Sequence, residues 1–217
     1  MKVGIILARG GSKGIINKNL QMIGETSLLE KSIKTMLISN IFSRIIVSSD
    51  SSKILNIAKE CNVETHNRSE ITSNDSSTSE EALFEVLADK GINNGTVFLI
   101  QCTTPFLNSQ DLQNIDKQFP HGHNHTIITG YYENVHHWYM EKDKIKPIGE
   151  SAELRSARQK QKTKIFVENG GAYVFDIASF LITRNRFLKE VDAYEMSKEN
   201  SIDIDLPIDL KIARFLS

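Results

Sequence analysis

The chain has 217 residues, 40% of them hydrophobic, enough to bury a sizeable core and to form one α/β domain with an embellishment rather than two domains. A formal net charge of −1 argues against general nucleic-acid binding, which needs a basic face, so any phosphate chemistry has to rest on local charge. Cys61 and Cys102 are the only cysteines and lack disulfide or zinc spacing; no apolar run forms a signal peptide or reaches the ~20 residues of a membrane span, so a cytoplasmic protein with buried thiols is expected.

Residues 3–7 form an apolar run rich in β-branched side chains that stops at Ala8-Arg9-Gly10-Gly11-Ser12-Lys13-Gly14. The pattern predicts a buried strand delivering a loop. Its glycines let backbone N–H groups approach a ligand, and Arg9, Lys13 and Lys18 put three cations around the same turn, which suits a polyphosphate. Neither GxxxxGK[ST] nor GxGxxG can be laid over these glycines, and a solvated turn is the plainer alternative.

Thr26 or Ser27 then caps a helix with Leu28, Leu29, Ile33, Met36 and Leu37 at helical spacing, ending near Ser39-Asn40. Arg44-Ile45-Ile46-Val47-Ser48-Ser49-Asp50 reads as a second strand, followed by a helix carrying Ile54, Leu55, Ile57 and Ala58 and by a brief strand at 63–66. Strand, polar end, helix, repeated, is βαβ grammar. Asp50, with Ser51 and Ser52, reads most simply as a helix cap. Residues 67–79 are a long polar connection: either a solvated loop, or a segment whose Arg68 and hydroxyls close over a ligand. Thr78 or Ser79 opens a helix through Leu83, Val86 and Leu87.

A fourth strand begins at Thr96 and ends in the polar groups of 101–104. In open parallel sheets the ligand crevice lies outside the carboxyl ends of the strands, so segments 9–14, 48–50 and 101–104 are expected to face one crevice. Gln101 offers donor and acceptor groups to a base or sugar hydroxyl. A further helix over 111–119 and a strand over 126–130 follow.

From 131 to 165 the rhythm breaks. Tyr131, Tyr132, His136, His137, Trp138 and Tyr139 cluster and 155–164 is basic, which predicts an excursion serving as a substrate flap or an oligomer contact. His121, His123, His125, His136 and His137 lack the companions of a zinc set and are expected as exposed loop histidines. Residues 166–176 return to the sheet with Gly170-Gly171 inside a strand, either for close approach of a ligand or as a bulge.

In Ser201-Ile202-Asp203-Ile204-Asp205-Leu206 the alternation would bury Ile202, Ile204 and Leu206 and put Ser201, Asp203 and Asp205 on the opposite face. Carboxylates two apart on an extended segment stand ~6.6 Å apart, close enough to bracket Mg²⁺, which takes one or two carboxylates with waters and substrate phosphates. Alternatively Asp205 helps cap the helix opened by Pro207 and Asp203 is a surface charge. Cationic loop and paired aspartates together suggest a metal nucleotide held across a shared cleft.

On Ala8-Arg9-Gly10-Gly11-Ser12-Lys13-Gly14 with Lys18-Asn19-Leu20, Ile46-Val47-Ser48-Ser49-Asp50, Gln101-x-Thr103-x-Pro105, Arg158-Gln159, Asn169-Gly170-Gly171-Ala172-Tyr173 and Ser201-Ile202-Asp203-Ile204-Asp205, the chain resembles the acylneuraminate cytidylyltransferase (CMP-sialic acid synthetase) family from Met1 to the last helix. The resemblance implies a Rossmann-like α/β fold, a mostly parallel twisted sheet flanked by helices. It implies one nucleotidyltransferase domain over 1–217, with 131–165 as the flap and dimerisation excursion of a homodimer. The implied catalytic residues are Arg9, Lys18, Asp203 and Asp205, with Mg²⁺ on the two aspartates. Ala8, Arg9, Gly10, Gly11, Ser12, Lys18, Asn19, Arg68 and Thr78 would bind CTP. Gln101, Arg158, Asn169, Tyr173 and Phe187 would lie on the sugar side, Phe187 reaching a neighbouring subunit. The implied reaction joins CMP to the anomeric hydroxyl of a 2-keto sugar acid and releases pyrophosphate, with no nucleic-acid or membrane partner.

Lys18-Asn19-Leu20 favours the nine-carbon branch of the family over the eight-carbon KDO branch. The chain departs from the pattern at Cys102, at Leu107-Asn108, at Trp138-Tyr139-Met140, where a lysine facing the sugar carboxylate is usual, and after Arg158-Gln159, where a proline is missing. These positions touch the sugar side, so the acceptor is open among sialic acid, legionaminic acid, pseudaminic acid and other 2-keto acids. Two alternatives stand beside this reading: a nucleotidyltransferase of the same fold with another NTP or acceptor, and a non-catalytic nucleotide-binding protein.

Overall fold

The structure, a computed structural model, describes residues 1–11, 14–120, 124–133, 135–148 and 164–217. In chain order the elements are β1 (Lys2–Leu7), a 3₁₀ turn (Lys18–Leu20), β2 (Met22–Ile23), β3 (Thr26–Ser27), α1 (Leu28–Ser39), β4 (Arg44–Ser49), α2 (Ser52–Glu60), β5 (Glu64–Asn67), α3 (Glu70–Ser73) and α4 (Ser79–Asp89). There follow β6 (Thr96–Ile100), α5 (Ser109–Gln118), β7 (His125–Glu133), β8 (Trp138–Glu141), β9 (Lys144–Pro147), β10 (Ile165–Asp176), α6 (Ile177–Thr183), β11 (Glu190–Glu195) and α7 (Pro207–Phe215).

Seven strands form one sheet in the order β11-β7-β10-β6-β1-β4-β5. β10 runs antiparallel to β6 and β7, and the other pairs are parallel. The α/β expectation therefore holds. β1 is covered on both faces, as its unbroken apolar run requires. Val3 and Ile5 pack with Leu83, Val86 and Leu87 of α4 and Phe180 of α6. Ile6 packs on the other face with Leu28, Ile33 and Met36 of α1 and Leu112 and Ile115 of α5. From β1 the chain goes first to β4 on one side and later to β6 on the other, so the carboxyl ends of β1 and β6 bound a topological switch point, where a crevice opens.

Several local expectations change. The Ser51 and Asp50 side chains make no cap on α2; Asp50 instead reaches the glycine-rich loop, because a long-range backbone donor, Gly10 N, competes for the same carboxylate. Tyr131 and Tyr132 extend β7, and β8 and β9 form a hairpin whose residues are mostly exposed. His125 is no loop histidine: it opens β7, 2.9 Å from Glu190 and 3.5 Å from Asp192. His136 and His137 are half-buried rather than exposed, while His121 and His123 lie outside the described residues. In the tail, Ile204 is fully buried and its N–H donates to the Thr103 carbonyl at 2.8 Å. Leu206 is the N-cap residue of α7 and stays exposed, and Ser201 is buried, so the strict alternation expected there fails where the chain turns into the helix.

Candidate active site

The glycine-rich loop leaves β1 at the switch point. Ala8 is fully buried and its N–H donates to the Ser48 carbonyl at 2.9 Å. Gly10 N–H donates to Asp50 Oδ1 at 2.7 Å, and Asn19 Nδ2 donates to the Arg9 carbonyl at 3.2 Å, so both flanks of the loop are pinned. Gly11 is exposed; Ser12 lies outside the described residues. The 3₁₀ turn brings Lys18 to the tail, where its Nζ donates to the Ile204 carbonyl at 2.9 Å and meets Asp205 Oδ1 at 3.0 Å. A Cβ on Gly14 would come within 2.9 Å of the Asp205 carbonyl, so only glycine lets the backbones approach this closely. The basic turn and the aspartate segment thus meet directly, through Lys18 and Asp205.

Asp203 Oδ1 is buried and has no hydrogen-bond partner. Burial pushes the Asp203 carboxyl above its ordinary value; Thr103 opposes this and the neighbouring Asp205 charge adds to it. Asp205 does not cap α7. Asp209 does so, accepting from the N–H groups of Leu206 at 2.7 Å and Asp205 at 3.1 Å, which leaves the Asp205 carboxylate to Lys18 and solvent. An orphaned buried carboxylate oxygen beside an exposed carboxylate fits a hard divalent cation, whose ligands are oxygens.

Two cavities open along the crevice. The smaller, of about 120 Å³, is neutral and lined by Leu7, Asn19, Ser79, Gln101 and Thr103 among others. Its neighbour, of about 260 Å³, is lined by Arg9, Arg68, Asp75, Ser77, Thr78 and Ser79 and carries the positive charge. Arg9 Nη1 bridges to Asp75 Oδ1 at 2.8 Å, so the 67–79 segment is tied to the glycine-rich loop through Asp75 rather than through Arg68. Thr78 is spent as the N-cap of α4, where its hydroxyl accepts from Glu81 N at 3.1 Å. Ser79, which follows it, lines both cavities. The sequence names both as helix openers, and only the helix geometry shows that Thr78 is the cap; both residues line the larger cavity.

Arg68 is 7% exposed, and burial pulls its guanidinium below the ordinary value against the favourable charges of Asp50 and Glu85. Its Nε and Nη2 donate to Ser48 Oγ at 3.2 Å and to the Ser48 carbonyl at 3.0 Å. Ser48 Oγ also meets His66 Nδ1 at 3.0 Å, and His66 Nε2 meets Asp89 Oδ2 at 3.0 Å. This chain buttresses Arg68 from behind, and nothing in the local pattern of β5 announces it. His66, Glu85 and Asp89 bring one imidazole and two carboxylates within 4.8 Å of one another, but both ring nitrogens of His66 already have protein partners.

On the far wall β10 carries a register shift between Glu168 and Tyr173. Gly170 takes φ +67 there, and a Cβ would stand 2.9 Å from Gln101 Oε1 and 3.9 Å from Asp203 Oδ2, so the bulge brings the Gly170 backbone against both. The bulge reading of the glycine pair is met, and the close approach at Gly170 is that of the Gln101 and Asp203 side chains. Asn169 is 3% exposed and its amide is used internally: Oδ1 accepts from Thr129 Oγ1 at 2.7 Å and from Gly171 N at 3.0 Å. Its place is to hold the bulge. Gln101 is half-buried on the cleft side, and its N–H donates to the Gly171 carbonyl at 3.1 Å. The Tyr173 hydroxyl bonds Glu168, and burial first, then that bond, push it upward. The Tyr173 ring meets Phe187 edge to face at 5.9 Å. Arg158 lies outside the described residues.

A family model described as Cytidylyltransferase matches residues 3–216. Among known proteins the chain is 29% identical over 96% of its length to N-acylneuraminate cytidylyltransferase A of Danio rerio, covering 49% of that protein. It is 30% identical, again over 96% of its length, to N-acylneuraminate cytidylyltransferase of Oncorhynchus mykiss, covering 48% of it. The chain thus spans about half the length of these relatives. Among solved structures it is similar to a CMP:2-keto-3-deoxy-manno-octonic acid synthetase complexed with CTP, with a TM-score of 0.71, 14% identity and coverage of 99% of this chain and 97% of the other; at that identity the likeness concerns the fold.

Proposed function

Because the chain belongs to the cytidylyltransferase family, we propose that it transfers CMP from CTP to the anomeric hydroxyl of a nine-carbon 2-keto sugar acid, sialic acid or a relative, with release of pyrophosphate. The observation that carries this reading is the junction of Lys18 with Ile204 and Asp205, which joins the cationic loop to the paired aspartates at the mouth of the sheet. In the transfer an oxygen–phosphorus bond forms at the α-phosphorus while the bond to the β-phosphate oxygen breaks. Such a displacement demands positioning and charge neutralisation rather than a protein nucleophile.

Arg9, Lys18 and the loop N–H groups are suited to the triphosphate. Arg68 and Ser79 line the cavities on the nucleotide side, and Gln101, Tyr173 and Phe187 stand toward the acceptor. Asp203 and Asp205 would hold Mg²⁺. When bound, that ion neutralises phosphate charge and acidifies the attacking hydroxyl. A homodimer paired through the β8–β9 hairpin belongs to the same reading, supported by the exposed Trp138, Tyr139, Met140 and Ile145 on that arm. So does a cytoplasmic site of action, supported by the free thiols of Cys61 and Cys102. Among the described residues no helix is long and apolar enough to cross a membrane.

The test is pyrophosphate release across the four NTPs with a panel of eight- and nine-carbon 2-keto acids, with and without Mg²⁺. CTP-selective, Mg²⁺-dependent release with a nine-carbon acid is expected. Equal release with every NTP, or none with any acid, would reject the proposal.

A further inference from the structure

Arg186 has no place in the account so far, yet it is among the most constrained cations of the molecule. It lies in the turn between α6 and β11, and the fully buried Thr126 of β7 fixes its backbone: Thr126 Oγ1 donates to the Arg186 carbonyl at 2.6 Å and accepts from Leu188 N at 3.0 Å. Phe187 N–H donates to Asn185 Oδ1 at 2.9 Å, which ties the same turn from its other side. From this rigid base the guanidinium lies 4.4 Å from the centre of the Tyr173 ring and 5.4 Å from that of Phe187. Nη1 stands 3.2 Å from Glu80 Oε1, at the start of α4 and next to Ser79.

These contacts do not satisfy it. Nε and Nη1 are both buried and neither makes a hydrogen bond; the approach to Glu80 is an ion pair without hydrogen-bond geometry. A guanidinium is a planar fork of five N–H donors, and buried donors without acceptors are costly. Stacking on tyrosine and pairing with Glu80 would account for a structural arginine whose donors were filled. Open donors, on a side chain that keeps 17% exposure, call for an acceptor that arrives from outside.

We infer that Arg186 binds the carboxylate of the acceptor sugar acid. This rests on the transferase reading above and deepens it by naming the group that recognises the acid. The carboxylate is the one anionic group of such a sugar, and the guanidinium fork is the side chain best matched to it. The carboxylate is bonded to the same carbon as the attacking hydroxyl, so its anchor has to lie near the reacting phosphate. Arg186 meets that condition through both its neighbours: Glu80 directly follows Ser79, which lines both crevice cavities, and Tyr173 lies three residues along β10 from Gly170, whose backbone abuts Asp203. Glu80 then occupies Arg186 until the substrate carboxylate replaces it.

The test compares wild type, Arg186→Gln, Arg186→Lys and Glu80→Gln by pyrophosphate release, using the sugar acid and its C1 carboxamide as acceptors. Arg186→Gln is expected to raise the KM for the acid about 100-fold with the Kd for CTP unchanged, and to collapse the preference for acid over amide to a few-fold. Arg186→Lys keeps the charge but not the fork and is expected to recover about tenfold of that loss. Glu80→Gln removes the competing carboxylate and is expected to lower the KM for the acid. An unchanged KM and an unchanged acid-to-amide preference in both arginine variants would overturn the assignment and leave the transferase reading standing. No pyrophosphate from wild type with any keto acid would sink that reading and the assignment with it.

Discussion

Lys18 and Asp205 meet at 3.0 Å across 187 positions of sequence, and the same ammonium donates to the Ile204 carbonyl at 2.9 Å. Lys18 is therefore preset at the junction of loop and tail before any ligand arrives. Replacing it with Gln is expected to lower kcat/KM for CTP by about 10²–10³-fold, the usual effect of deleting one preorganised donor to a developing anion. The melting temperature should move by only a few degrees, because Asp205 is mostly exposed. Pyrophosphate-release kinetics and thermal denaturation on one preparation check both; a kcat/KM within threefold of wild type would refute the role.

Asp203 gives a prediction with opposite signs for activity and stability. Its folded value is raised by burial, so the folded state holds that proton more tightly than the unfolded chain does. The metal-free protein should thus lose stability as pH climbs from the ordinary aspartate range through the raised value, and recover it on acidification within that window. Asp203→Asn removes the buried charge. At pH 7 in EDTA it is expected to melt about 2–4 °C higher than wild type, with a flatter pH dependence, while Mg²⁺-dependent turnover is lost. A lower melting temperature for the variant would contradict this account.

Asp75 holds Arg9 at 2.8 Å where the triphosphate is proposed to bind. An exposed ion pair contributes up to about 1 kcal/mol, so Asp75→Asn should tighten CTP binding by up to about fivefold. Calorimetric titration with CTP measures it. Weaker binding would instead mean that Asp75 supports the bound state.

Asn169→Ala would strip the acceptor from Thr129 Oγ1 and Gly171 N inside the β10 bulge. Leaving buried donors unpaired costs about 1–3 kcal/mol, a fall in melting temperature of roughly 2–12 °C for a domain of this size. Acceptor KM should rise with it, because Gln101 and Asp203 abut Gly170. A full-strength acceptor site on an unfolded-prone variant would separate the bulge from recognition.

What the sequence disclosed followed the strength of local signals. β1 with its glycine-rich loop, α1 between Ser27 and Asn40, and α4 behind Thr78 were legible because apolar period, glycine and capping chemistry all agree there. β11 was not: Glu-Val-Asp-Ala-Tyr-Glu is an exposed edge strand, and its polarity hides it. α3, at four residues, is too short to show a period, and α6, at seven, lacks an exposed polar stripe. Asp203 and Asp205 stood out as a candidate pair because both lie in one short segment. The Asp50 bond to Gly10 and the His66–Ser48 buttress were not legible because each joins residues distant in sequence, and for Asp50 a nearby helix start offered a cheaper explanation.

The irregularity in β10 also decides what this molecule can tolerate. Ala172 to Asp176 are in step with β6, whereas Ile165 to Glu168 are phased only against β7, and the two halves are set independently on either side of Gly170. A residue gained or lost on the outer half turns over the facing of that half alone and leaves the half paired to β6 in place. On the proposed function, chimaeras that exchange residues 131–168 with those of a relative should therefore alter the choice of acid without retuning the use of CTP, so that one half of the molecule can diverge while the other stays fixed.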